Sequence, residues 1–318
     1  MKRTILVMIL LILCIACTVG CTKKEAAAPA SGAKKLTVIT TLFPLYDFTR
    51  QIAGDRADVV MLLPPGIEPH SFEPKPNDIV RLNKADVIIY TNEYMEPWAA
   101  KLVGTLSHDP AIIDSSIGVN FLKGDGGAVD AHQHGAAPEH DGGVDPHIWL
   151  DFGNAQIMVD NIAKGLVAKD PANREYYQTH AAGLKEELRK LDDEYRSGLA
   201  NCRKKIFLEG GHFAFGYLAA RYHLTYKSAQ ALNPDAEPTP DKLAALVRLM
   251  KENRLHYVFT EELLSPATAE MIARETGAKV LTLNASHNIS RDDLEKGVGF
   301  VPLMKKNLES LRLGLECQ

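Results

Sequence analysis

From Lys34 onward, short apolar runs alternate with stretches in which apolar residues recur at helical spacing. "KLTVITTL", "ADVVMLL", "DVIIYTN" and "AIIDSS" read as strands, while "PLYDFTRQIAG", "KPNDIVRLNKA" and "EPWAAKLVGTL" between them read as helices. Strands separated by helices in this rhythm imply βαβ units and a mostly parallel sheet, so residues 36–150 are expected to form one β/α lobe. The rhythm returns in residues 201–318. There "KKIFLEG", "LTYKSA", "LHYVFTEE" and "AKVLTLN" are the strands, and "FAFGYLAARY", "TPDKLAALVRLMKENR" and "SPATAEMIARETG" are the helices. A terminal helical pattern from Asp293 to Leu315 is interrupted by Pro302. No residue-level repeat links the lobes; the likeness is one of architecture.

Residues 151–200 are helical throughout in this reading. Asp170 as cap and Pro171 at the first helical position start a long helix over about 171–199. Leu184, Leu188 and Leu191 keep its apolar spacing. Its roughly 28 residues span about 42 Å, a stiff strut and not a flexible hinge. Movement is therefore expected in loops and in the second lobe.

Composition alters the picture mainly at the N-terminus. "MKRTILVMILLILCIACTVGC" has a basic start, an apolar run too short to span a bilayer and then small residues, so residues 1–20 read as a signal peptide. Val19-Gly20 before Cys21 resembles the lipobox of bacterial lipoproteins, with Thr18 where leucine is usual and Cys17 as a weaker competing site. Lipidation at Cys21 would leave residues 21–35 as a flexible tether and anchor an exported protein to the bilayer. Only Cys202 and Cys317 then remain in the folded part, and an oxidising compartment permits a disulfide between them. The formal net charge of −4, without any large basic cluster, argues against nucleic acid as a partner.

The candidate chemistry lies in loops that follow or flank strand ends, where open α/β sheets collect ligands. "LLPPGIEPHSFEPKPND" carries His70, "VDPHIWLD" His147, "FLEGGHFAFGYLAARY" His212, and "LTLNASHNIS" Asn284 and His287. Any one histidine alone is more simply a solvated or hydrogen-bonded residue. Their recurrence beside stiffening Pro and Gly, and beside Glu68, Asp145 and Glu209, points to a shared metal ion. Carboxylates of that kind commonly orient metal-binding imidazoles from behind. Residues 124–143 lack hydrophobic periodicity and carry His132, His134 and His140, an auxiliary metal-capture loop or else a plain solvated spacer. Glu262, at the end of "LHYVFTEE", is either a support for the site or purely structural.

Together, "EPHSFEPKPND", "DPHIWLD", "HFAFGYLAARY", "NPDAEPTPDKLAALVRLMKENRLHYVFTEELLSP" and "AKVLTLN" make the chain resemble the metal-binding cluster A-I of periplasmic solute-binding proteins, which serve ABC transporters for zinc and manganese. The resemblance covers nearly the whole mature chain. It implies two β/α lobes joined by a rigid backbone helix, one metal ion at the lobe interface, and His70, His147 and His212 as ligands. The chain departs from the family at the fourth ligand, where Asn284 stands at the usual aspartate position. His287 is the favoured substitute, with water or Asn284 as alternatives.

Imidazole donors favour Zn2+ over Mn2+ as the cargo. The resemblance further implies a monomeric receptor without enzymatic activity, working with an ABC permease and its ATPase. A manganese or iron receptor, a zinc hydrolase using Glu209 as base, and an adhesin are the alternatives.

Overall fold

The computed structural model describes residues 34–123, 143–232 and 237–318. In the first lobe, strands β1 (Leu36–Thr40), β2 (Ala57–Met61), β3 (Val87–Tyr90) and β4 (Ala111–Asp114) alternate with helices α1 (Phe43–Ala53), α2 (Pro76–Leu82) and α3 (Pro97–Val103). Helices α4 (Phe152–Lys169) and α5 (Arg174–Ala200) follow. The second lobe contains β5 (Ile206–Glu209), α6 (Gly216–Arg221), β6 (Thr225–Ser228), α7 (Pro240–Glu252), β7 (Tyr257–Glu261), α8 (Ala267–Thr276) and β8 (Lys279–Leu283), and closes with α9 (Arg291–Glu295) and α10 (Phe300–Gly314). Both sheets are wholly parallel, and their strand orders, β2-β1-β3-β4 and β6-β5-β7-β8, are the same topology used twice.

Strand parity explains the apolar runs. Val38, Val87 and Ile89 face one core, whereas Ile39 and Ile88, each one residue out of step, face another. In the second sheet Phe207 and Phe259 share the first core, while Leu208 and Val258 turn away into a third. A strand covered on both faces carries no polar alternation. One face of each sheet therefore feeds a single core that also takes in α1, α4, α5 and α10. The lobes are joined by shared hydrophobic packing as well as by the connecting helix.

Helix α5 buries Tyr177, Ala181, Leu184, Leu188, Leu191, Tyr195 and Leu199 along one stripe. Before it, Pro171–Asn173 forms a separate 3-10 turn, because the Asp170 carboxylate accepts from Asn173 Nδ2 (2.6 Å) and the Tyr177 hydroxyl (2.7 Å) and caps no backbone N–H. Pro302 does not interrupt the terminal helix as its sequence suggests. It is the third residue of α10, in the first turn, where the missing N–H is no loss. The break falls at Lys296–Gly299, where Gly297 has φ +70°.

Two further ties hold the lobes, and a third closes the second lobe on itself. Asp47 of α1 accepts the Phe300 N–H at 2.9 Å, so a first-lobe carboxylate sits at the N-terminus of α10. Arg221 of α6 reaches both Asp151, the cap of α4 (2.6 Å), and Asp192 of α5 (2.6 Å). A disulfide joins Cys202, which precedes β5, to Cys317 at a sequence separation of 115.

Candidate metal centre

His70 follows β2, His147 lies between β4 and α4, His212 follows β5 and His287 follows β8. The first loop is set by a β-turn: Ile67 N–H donates to the Pro64 carbonyl at 3.3 Å, with Pro65 and Gly66 as the central residues. Gly66 has φ +79°, as a type II turn requires at that position. Glu68 Oε1 then accepts the His70 N–H at 3.1 Å. His147 is held by Asp145, whose Oδ1 accepts its N–H (3.0 Å) and its Nδ1–H (2.8 Å). The buried run Ile148, Trp149 and Leu150 anchors the segment from behind. Before His212 the chain passes so close to α8 that a Cβ on Gly210 would lie 2.5 Å from the Ala269 nitrogen, so only glycine fits.

These loops bring three rings around one point. His70 Nε2 and His212 Nε2 each lie 3.2 Å from His147 Nε2. The ring centroids of His70, His147 and His212 are 5.2, 5.3 and 5.2 Å apart. With Zn–N bonds of about 2.05 Å, a tetrahedral site needs nitrogen edges of about 3.3 Å and centroid separations of about 5.2 Å. The three rings thus have the spacing of three tetrahedral corners. A hydrogen-bonded pair of imidazoles accounts for one short contact, but not for three equal centroid separations.

Carboxylates set the tautomers. Asp145 on the Nδ1–H of His147 leaves Nε2 as the lone-pair nitrogen, and Glu261 does the same for His212 through a short Nδ1 hydrogen bond. Burial pulls the His70, His147 and His287 rings well below the ordinary imidazole range, which keeps them neutral and able to coordinate. Burial acts on His212 in the same direction, but Glu261 against it, aided by Glu68 and Asp145, leaves its pKa raised overall. Burial pushes Asp145 up to about 7, against the pull of the His147 amide. Glu209 is driven well above the carboxylate range by burial and then by Glu261, and its Oε2 accepts from the Tyr226 hydroxyl at 2.5 Å.

His287 is 3% exposed and stands slightly back, its centroid 5.6 Å from His212 and 6.3 Å from both His70 and His147. One of its nitrogens lies within 4.8 Å of ligand atoms of His212 and Glu261. Asn284 is not brought to the cluster. Its Oδ1 accepts from Ser286 N–H (2.7 Å), its Nδ2 donates to Glu262, and its backbone is doubly bonded to Asn307 (2.8 and 2.7 Å). Glu262 is thus occupied with Asn284, away from the rings. The acid behind His212 is Glu261, a residue that the sequence does not single out beside Glu209 and Glu262. Parity carried the signal: Phe207 and Phe259 face the shared core, so Glu209 and Glu261, two residues on, emerge on that face at adjacent strand ends. Cys21, His132, His134 and His140 lie outside the described residues.

Residues 38–314 match the family described as ZnuA, zinc-uptake complex component A, periplasmic. The chain belongs to this family. It is 36% identical over 296 residues to the high-affinity zinc uptake system protein ZnuA of Bacillus subtilis, covering 92% of this chain and 91% of that one. Identity to the zinc-binding lipoprotein AdcA of Streptococcus pneumoniae is 35% over 301 residues, 94% of this chain but 59% of AdcA. Among solved structures, the Zn(II)-bound ZnuA-like domain of that AdcA superposes with a TM-score of 0.75 at 34% identity, covering 89% of this chain and all (100%) of that domain.

Proposed function

We propose that the protein binds zinc outside the cytoplasmic membrane, through His70, His147, His212 and His287, and delivers it to an ABC permease for import. The observation that carries this reading is the tetrahedral spacing of three imidazoles drawn from both lobes. Nitrogen donors suit zinc better than manganese, which prefers oxygen. Asp145 and Glu261 accept from the backs of the His147 and His212 rings, which aims the Nε2 of each at the shared point. Membership of a zinc-uptake family and the zinc named for its relatives agree with this.

No catalysis is part of the proposal. A zinc hydrolase needs a general base over an open coordination position, and Glu209 is fully buried with the Tyr226 hydroxyl on its Oε2. Lipidation at Cys21, a monomeric state and docking on a permease with its ATPase complete the proposal.

Elemental analysis of protein purified without added metal tests it. Close to one zinc per chain is expected, with the zinc lost in His70→Ala. Manganese or iron as the dominant metal contradicts the reading.

A pH titration probes the support behind the ring. Protons compete with zinc for imidazole nitrogen, and His212 is the ring whose pKa is raised. Affinity is therefore full above that pKa and is lost as pH falls through it. In Glu261→Gln the largest part of the upward push is gone, so the midpoint of the loss moves to lower pH. Well above the midpoint, the same variant binds zinc about 10–100-fold more weakly. A midpoint that stays in place contradicts the assignment of Glu261.

A further inference from the structure

Between β8 and α9 the chain crosses from one lobe to the other, and its hydrogen bonds change partner within a few residues. Asn284 is bonded to Asn307 of α10, in the second lobe. Ser286 takes φ +57°, a left-handed conformation that a non-glycine residue seldom adopts. From Ala285 to Ile289, five hydrogen bonds lead to the first lobe. The Trp149 indole donates to the Ala285 carbonyl (2.8 Å) and Phe43 N–H to the His287 carbonyl (3.4 Å). Gly66 N–H donates to the Ile289 carbonyl (3.0 Å), and Asn288 Nδ2 donates to the carbonyls of Pro64 (2.9 Å) and Ile67 (2.6 Å).

The last two bonds grip both ends of the turn that sets His70. Asn288 is 1% exposed and fully committed, since its Oδ1 accepts the Ile289 N–H at 2.7 Å while its two amide hydrogens go to two carbonyls. A pair of carbonyl acceptors demands a double donor, which an aspartate of the same shape is not. Asn288 thus joins the loop of one candidate ligand, His287, to the loop of another, His70.

We infer that Asn288 is a positioning residue for zinc binding: it holds the His287 loop to the His70 turn, so that three of the four imidazoles belong mechanically to the first lobe and His212 alone is carried by the second. This rests on the four-histidine zinc reading above. It alters the expected course of release. The His287 loop stays with the first lobe when the lobes part, and the ion loses His212 first.

The test is a double-mutant cycle on zinc affinity, measured by competition with a chromophoric chelator. In the otherwise native protein, N288D lowers affinity about 10–100-fold, the usual effect of losing a group that orients a ligand. In a His287→Ala background the same change costs a clearly smaller factor, because the His287 ring is gone and the His70 turn keeps its own Ile67 N–H to Pro64 carbonyl bond. N288A, which removes the donors without adding a charge, runs the same cycle should N288D not fold. A loss of equal size in both backgrounds makes Asn288 a general clamp and overturns the inference, as does unchanged affinity in N288D and N288A. Native protein that takes up no zinc overturns the proposed function instead.

Discussion

Replacing His212 with alanine lowers zinc affinity about 10²–10³-fold. The size follows from a binding free energy of about 10–16 kcal/mol for a four-ligand structural zinc, or about 2.5–4 kcal/mol for each ligand. His212 has a second claim to a large effect, because it follows β5 and is the second-lobe ring in the tetrahedral trio. Without it the ion no longer bridges the lobes. Zinc at a thousandfold excess over its dissociation constant stabilises the native protein by about 4.1 kcal/mol. At the same free zinc, His212→Ala gains far less. Chelator competition and thermal unfolding with and without zinc measure the two effects, and a variant retaining both shows that the second lobe does not hold the ion.

Paired Cys202→Ser and Cys317→Ser substitutions lower folding stability by about 4–5 kcal/mol, the chain-entropy value for a loop of about 100 residues. Against a typical total of about 5–15 kcal/mol this is a large share. The bond pins the chain end back to the start of the second lobe, where Lys204 N–H also donates to the Leu315 carbonyl at 3.0 Å. Cys202 precedes β5 whereas His212 follows it, so the bond and the ligands lie at opposite ends of that strand. Zinc affinity of the folded variant therefore stays close to native. Denaturant unfolding of oxidised, reduced and serine-substituted protein measures the loss, and equal midpoints for all three contradict it.

The central strands β1, β3, β5 and β7 were readable because they are largely buried and stand out as apolar runs, the edge strands because they recur between amphipathic stretches, and each run from "KLTVITTL" to "AKVLTLN" contains one of the eight described strands. His70, His147 and His212 were readable for a related reason. Each stands in a loop at a strand end beside residues that restrict the backbone, and the structure draws them together. Glu261 was harder to find, since two adjacent glutamates end one strand and only the side-chain parity inherited from Phe259 tells them apart. Pro302 misled because proline breaks helix interiors but is harmless in a first turn, and the position of that turn depends on Asp47, 253 residues away. Asn288 carries no sequence signal of its own. Its two acceptors, Pro64 and Ile67, lie 224 and 221 residues earlier and become its neighbours only when the lobes pack.

Anomalous diffraction at the zinc absorption edge, from crystals of the metal-loaded protein, tests the central claim most directly. A single strong peak is expected at about 2.0–2.1 Å from the Nε2 atoms of His70, His147 and His212, with an imidazole nitrogen of His287 at the fourth corner. A peak bound by residues of one lobe only, or rings too far apart to share an ion, would contradict the account.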